Sequence, residues 1–134
     1  KEPQTAATRV AAAYPNERVY SAATWGDYLA YRLPAGHVVF IYGSAGTFTR
    51  PAQAAYATIH LLEPGWETAL RTDDIRVAIV DERSQEASAL HELGWRLDCF
   101  DAPAGALVLV SPEASDPATP SAPLTVPPAY APAC

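Results

Sequence analysis

The chain of 134 residues contains no methionine, only 2 cysteines and few basic residues. Because a natural full-length chain begins with methionine, we expect this sequence to be a processed or excised piece of a longer protein. Its 9 lysines and arginines are outnumbered by 15 acids, which gives a net charge of -6. This balance argues against nucleic-acid binding, which needs a basic face, and against electrostatic docking on anionic lipid.

Long hydrophobic runs are also missing. No apolar stretch approaches the roughly 18 residues that a membrane-spanning helix needs, so we expect a soluble piece. Cys99 and Cys134 form neither a C-x-x-C motif nor a cluster with metal-binding spacing. Cys99 lies in a strand-like run, where we expect a small buried hydrophobic residue. A disulfide between Cys99 and Cys134 stays open as an alternative.

What the sequence does contain is an alternation of helical and strand-like patterns. The predicted helices cover residues 5–14, 24–33, 51–62, 66–71 and 84–93, and the predicted strands cover residues 18–22, 37–42, 75–80, 95–100 and 106–110. This order favours an α/β fold of Rossmann-like type, with a mainly parallel sheet of about five strands and crossover helices. The last two strands are joined by a short turn, so we expect them to close the sheet as an antiparallel hairpin.

The domain organisation follows from a change in composition. Residues 1–111 are predicted to form a single α/β domain, whose hydrophobic fraction is sufficient for a core. From residue 112 to residue 134 the sequence consists mainly of proline, alanine, serine and threonine. Such a composition cannot build a packed core, and it is typical of an extended tail or linker.

The densest group of aromatic residues lies where the first predicted strand turns into a helix. Thr24, with Asp27 three residues later, matches a capping box. Trp25 and Tyr28 have the helical spacing of a core-facing stripe. Ligands of α/β sheets bind beyond the carboxyl ends of the strands, and this segment lies at such an end. The candidate binding residues at the strand ends are Trp25, Asp27, Tyr28, Tyr42 and Asp81.

No pattern in the sequence indicates a catalytic or metal site. The three histidines, at positions 37, 60 and 91, fall in different elements without metal-binding spacing. The loop 43–47 matches neither the P-loop nor the dinucleotide fingerprint, and no G-x-S-x-G elbow occurs. We therefore expect no cofactor, no metal and no catalytic residue in this piece by itself.

Residues 23–33 resemble the W-G-G-Y-L segment that opens the soluble C-terminal domain of many multi-pass bacterial and archaeal membrane proteins. These proteins are similar to glycosyltransferases of the GT-C class. Residues 38–43 resemble the V-F-I-D-G strand of the same family, and residues 75–81 resemble its I-D-x-V-L-V strand. Residues 90–101 resemble its L-x-x-x-G-W-x-x-x-x-x-D segment. The sequence departs from the family where Asp27 replaces the second glycine and Tyr42-Gly43-Ser44 replaces D-G-R.

A second resemblance joins Trp25, Asp27 and Tyr28 to the W-W-D-Y-G motif of the catalytic subunit of oligosaccharyltransferase. Compared with that motif, this chain has Gly26 where the motif has its second tryptophan and Leu29 where the motif has its glycine. The motif of that subunit helps to bind the hydroxyl residue of the acceptor peptide. Catalytic carboxylates of GT-C enzymes lie in the membrane-embedded half, so both resemblances imply an accessory domain.

The resemblances imply a function on the extracytoplasmic face of a membrane. We expect the domain to pack on the membrane-embedded part of its own parent chain and to help shape a cleft for a saccharide or peptide acceptor. Trp25 would stack on a sugar ring, and Asp27 would bind its hydroxyls. One alternative is a structural or assembly domain that contacts a partner protein through its surface and its Pro-rich tail. Another is a free-standing enzyme whose pocket is lined by Asp81 and Glu82.

Overall fold

A computed structural model describes residues 1–34, 37–38, 50–114 and 132–134 of the chain. Within these ranges it contains five helices and four strands. The helices are α1 (Gln4–Ala13), α2 (Ala23–Arg32), α3 (Arg50–His60), α4 (Trp66–Thr72) and α5 (Gln85–Glu92), and the strands are β1 (Arg18–Ser21), β2 (Ile75–Asp81), β3 (Arg96–Asp101) and β4 (Ala106–Val110). The predicted elements within the described ranges are thus confirmed in type and in approximate extent.

The four strands form one mixed sheet in the order β1-β2-β4-β3. β1 and β2 run parallel, with Tyr20 opposite Ala78. β4 runs antiparallel to β2 on one side and antiparallel to β3 on the other. Beyond β1, Val38 makes an isolated parallel bridge to Val19. Residues 39–42 of the strand predicted over residues 37–42 lie outside the described residues.

The predicted fold class is therefore wrong, because the sheet is not mainly parallel and not Rossmann-like. In the described part of the chain, β1–β2 is the single parallel pair of strands. The hairpin of β3 and β4 was predicted correctly, but its last strand enters the sheet between β2 and β3. All five residues of β4 are buried, whereas β3 buries only Cys99 and Asp101. The more apolar strand takes the central position because only there are both of its faces covered.

Helices cover both faces of the sheet and create two apolar layers. α1 and α2 pack on one face, where Val77 and Ile79 of β2 point. α3, α4 and α5 pack on the other face, where Ala78 and Val80 point. Alternate residues of each strand serve opposite layers, as the twofold period of a strand requires. No helix in the described ranges is both long and apolar enough to cross a membrane.

The C-terminal residues return to the edge of this sheet. Cys134 forms a disulfide with Cys99 of β3. Cys99 is buried, as predicted from its strand-like surroundings, but it is not a free thiol. Next to the disulfide, Phe100 forms a parallel bridge with Ala133. At least the end of the predicted tail is therefore attached to the domain.

Candidate functional site

The predicted turn from strand to helix exists, but its helix begins differently from the prediction. α2 follows β1 after one residue, Ala22, which occupies the N-cap position. No side chain makes a capping hydrogen bond there, and both Thr24 and Asp27 are exposed. The predicted capping box is thus wrong. The helix begins two residues too early for Thr24 to cap it, because the N-cap residue is Ala22.

Trp25 is a core residue and not an exposed aromatic platform. Its side chain is 6% exposed and packs in the layer that contains Leu29. Its indole Nε1 donates a hydrogen bond to the backbone oxygen of Lys1 at 3.1 Å. A buried tryptophan usually needs such a partner for its N–H. The ring is therefore not available to stack on a ligand in this conformation.

Asp27 lies away from the surface that Trp25 packs against. Residues two apart on a helix do not face each other, and Asp27 is exposed where Trp25 is buried. The ring and the carboxylate therefore do not form one binding surface. The structure leaves Asp27 accessible as a single surface carboxylate.

Tyr28 of α2 is half-buried and packs against the apolar layer that α1 and α2 share. Its hydroxyl accepts a hydrogen bond from Arg32 Nη1, and the Arg32 guanidinium lies 5.6 Å from the Tyr28 ring centroid. Arg32 Nη2 also donates to Thr8 Oγ1 of α1 at 2.7 Å. These contacts connect the two helices, which gives Tyr28 a packing role.

The remaining predicted site residues are not brought to Trp25 by any contact in the described part of the chain. Asp81 ends β2, and its Oδ1 accepts a hydrogen bond from the Arg83 backbone N–H at 2.8 Å. Arg83 Nε lies 3.7 Å from the same oxygen. Asp81 thus stabilises the local turn into α5. Tyr42 lies outside the described residues.

The structure brings together a different polar cluster near the carboxyl ends of β1 and β2. Glu86, in the first turn of α5, is 4% exposed. Its Oε2 accepts a hydrogen bond from the Tyr20 hydroxyl at 2.5 Å, and His60 Nδ1 lies 3.2 Å from the same oxygen. Tyr20 is fully buried, whereas the His60 side chain is 49% exposed. A buried carboxylate therefore orients a half-exposed imidazole.

Tyr56 completes this cluster through its ring. It stacks on Tyr20 at a centroid distance of 5.8 Å and on His60 at 5.4 Å. Its hydroxyl accepts a hydrogen bond from the Ala23 backbone N–H at 3.1 Å, which satisfies a free donor at the start of α2. The cluster thus connects β1, α2, α3 and α5.

The ionisation of Tyr20 is shifted by its surroundings. Burial, and then the hydrogen bond to Glu86, raise the pKa of the Tyr20 hydroxyl far above its usual range. The phenol therefore stays protonated and donates to Glu86. A histidine whose one ring nitrogen faces a carboxylate can use its other ring nitrogen as a hydrogen-bonding or proton-accepting group. That is the chemistry that this cluster can offer.

Sequence reasoning missed the cluster because its members are far apart along the chain. Tyr20, His60 and Glu86 lie in three different elements, and their sequence separation shows no motif. One local signal was available. Tyr56 and His60 are four residues apart on α3, so they share a helix face.

A cavity of about 170 Å³ lies at the other end of the sheet, where β2 begins and β4 ends. Its lining combines apolar side chains with charged ones, among them Leu70, Ile75, Trp95, Arg71 and Arg76. Asp81 and Glu82 are not among its lining residues, so it is not the pocket that the enzyme alternative requires. In the described ranges, no group of three or more His, Cys, Asp or Glu side chains is arranged to hold a metal ion.

Comparison with known proteins assigns no family to this fold and cluster. No family model, no curated protein and no solved structure matches the chain.

Proposed function

We propose that this chain is an extracytoplasmic domain with a packing or assembly role, and that it belongs to a membrane protein of glycosyltransferase-like type. The observation that supports the compartment is the Cys99–Cys134 disulfide. Disulfides persist in oxidising compartments and are rare in the cytosol. The resemblance of residues 23–33 to the W-G-G-Y-L segment supports the type of parent protein.

The packing role is supported by what the aromatic residues of α2 do. Trp25 is buried and bonded to Lys1, and Tyr28 is bonded to Arg32. Side chains used in this way stabilise the domain and present no stacking surface for a sugar. The partner we propose is the membrane-embedded part of the same parent chain.

The test is the redox state and location of the parent protein in its native cells. We expect membrane fractions to contain it with both cysteines blocked against a maleimide reagent until a reductant is added. A protease added outside the membrane should cleave it. If the protein is recovered from the cytosol with both thiols reactive, the proposal is wrong. The coding sequence before Lys1 gives an independent check, because we expect apolar helices there.

A second candidate function is ligand contact at the carboxyl ends of β1 and β2. It is supported by the half-exposed His60 imidazole, which the buried Glu86 carboxylate orients. A saccharide hydroxyl is a suitable partner for such an imidazole. An NMR titration of the labelled domain with N-acetylglucosamine tests this function. We expect shift changes around His60 that disappear in His60→Gln and persist in His91→Gln. Unchanged spectra at saturating sugar would remove this candidate.

A further inference from the structure

The C-terminal residues 132–134 lie along the edge of the sheet, where Ala133 forms an isolated parallel bridge with Phe100. β3 is the outer strand there, and its Phe100 backbone N–H donates a hydrogen bond to the Pro132 oxygen at 2.8 Å. The Cys134 backbone N–H donates to the Phe100 oxygen at 3.1 Å. The disulfide from Cys134 to Cys99 lies directly beside this pairing. Within the described ranges, one covalent bond and two hydrogen bonds therefore hold the segment.

Without the covalent bond, the remaining contacts are too few to order the segment. Each hydrogen bond replaces one made with water, so its net contribution is small. Fixing the backbone of residues 132–134 costs conformational entropy at every residue. Pro132 and Ala133 are exposed, and Cys134 is only partly buried, so little apolar surface offsets this cost. The disulfide must therefore decide whether the segment stays on β3.

We propose that the Cys99–Cys134 disulfide is a reducible lock: its reduction releases residues 132–134 from β3 while the four-stranded sheet stays folded. This inference goes beyond the proposed function and does not depend on it. The bared edge is short, because residues 132–134 contact β3 only around Phe100, and the pairing of β3 with β4 is irregular between Leu97 and Cys99. Such an irregularity limits pairing with other chains.

The different exposure of the two cysteines decides which sulfur atom the reductant attacks. Cys99 is 2% exposed, whereas Cys134 is partly exposed. A thiolate of a dithiol reductant attacks Cys134 Sγ, and Cys99 Sγ leaves as a thiolate that takes up a proton. The second thiol of the reductant then displaces Cys134 as a free thiol. In sum, the reductant becomes a disulfide, and two electrons and two protons pass to the protein.

Other contacts hold β3 in place after the lock opens. The strand pairs along its length with β4. Asp98 of β3 accepts hydrogen bonds from Arg9 Nε at 2.8 Å and from the Tyr14 hydroxyl at 2.7 Å. Asp101 accepts two more from the start of α1. The release is therefore local to residues 132–134.

Hydrogen exchange followed by NMR tests the lock, because the Phe100 amide donates directly to the segment. In the oxidised protein we expect this amide to be protected. After treatment with dithiothreitol, its exchange should rise to within about tenfold of the rate of an unstructured peptide, while the amides of the central strand β4 stay protected. Cys134→Ser without reductant should match the reduced protein, and adding reductant to that variant should change nothing.

Two results would overturn the proposal. If the Phe100 amide stays protected in the reduced protein and in Cys134→Ser, the segment is held by its other contacts. If β4 loses its protection together with Phe100, the disulfide supports the whole fold and is not a local lock.

Discussion

Glu86 and Asp101 carry carboxylates that are 4% and 3% exposed, and both are stabilised by donors from distant parts of the chain. Glu86 accepts from Tyr20 of β1. Asp101, at the end of β3, accepts from the backbone N–H groups of Thr5 and Ala6, each at 3.1 Å. Burying a charge is costly unless hydrogen bonds compensate it. Single substitutions at these contacts should therefore cause a measurable loss in the free energy of unfolding.

The first prediction concerns Asp101, which caps α1 from a distance. Asp101→Ala leaves the Thr5 and Ala6 backbone donors without this acceptor, so we expect a loss of about 1–3 kcal/mol in the free energy of unfolding. A urea titration at neutral pH measures it. Asp27→Ala is the matched control, because Asp27 is exposed on α2. We expect a change within about 0.5 kcal/mol for that control. Equal effects of the two substitutions would contradict the capping role.

The second prediction concerns the hydroxyl of Tyr20. Tyr20→Phe removes a donor from the buried Glu86 carboxylate, so we expect a destabilisation of about 1–3 kcal/mol. The control is Tyr31→Phe, since the Tyr31 side chain is 85% exposed. That control should change the free energy of unfolding by less than about 0.5 kcal/mol. A neutral outcome for Tyr20→Phe would mean that Glu86 does not depend on this hydroxyl.

The third prediction is that the free energy of unfolding depends on pH through the Tyr20 hydroxyl. The pKa of Tyr20 is raised in the folded protein above the ordinary value of 10.0 that applies after unfolding. The stabilisation is therefore fully present below pH 10 and is lost as the pH rises above it, because the unfolded chain releases a proton that the folded one retains. Above that pH, the wild type should lose about 1.4 kcal/mol per pH unit more than Tyr20→Phe. Parallel stability curves of the two proteins between pH 9 and 11 would contradict this assignment.

At the scale of elements, the helices begin in three different ways. Ser84 caps α5 with its own side chain, which accepts from the Ala87 backbone N–H at 3.2 Å. Asp101, at the end of β3, accepts hydrogen bonds from the start of α1, whereas α2 begins without a side-chain cap. Only the first of these is encoded locally. A local sequence pattern can therefore specify the start of α5, whereas the capping box predicted for α2 was wrong.

The fourth prediction tests this local cap. We expect Ser84→Ala to destabilise the protein by about 1 kcal/mol, because it leaves an N–H at the start of α5 without its acceptor. Ser88 lies on the exposed side of the same helix, so Ser88→Ala is a matched control. It should have no effect or a slightly stabilising one, since alanine has the higher helix propensity. Thermal unfolding of both variants distinguishes the two cases.

At the scale of the whole molecule, the disulfide joins positions 35 residues apart. It restricts the unfolded chain, but reduction also frees residues 132–134 in the folded domain. The fifth prediction is therefore that reduction lowers the free energy of unfolding by clearly less than the about 3–4 kcal/mol expected when the folded state keeps both cysteines together without the bond. Urea titrations with and without reductant measure the difference. Cys134→Ser should give the same value in both conditions. A loss of the full amount, about 3–4 kcal/mol, is expected only if residues 132–134 stay on β3 after reduction, and it would contradict the local release.

Much of the local structure could be predicted from the sequence, but the candidate site could not. Trp25 was predicted on a helix, and its burial follows from that spacing. The structure does not place it in one surface with Asp27, because positions two apart lie on different sides of a helix. The contact of Glu86 with Tyr20 and His60 arises only when three distant elements meet. No local pattern specifies such a contact.

The sequence by itself determined the type and approximate extent of the helices and strands in the described ranges, because hydrophobic period, turn residues and local caps act over a few neighbouring residues. It also determined the antiparallel hairpin, since a short turn permits no other pairing. Tertiary structure decided the order of the strands, the distant cap of α1, the Glu86 cluster and the Cys99–Cys134 disulfide. Each of these depends on residues far apart in sequence, which come together only in the folded domain.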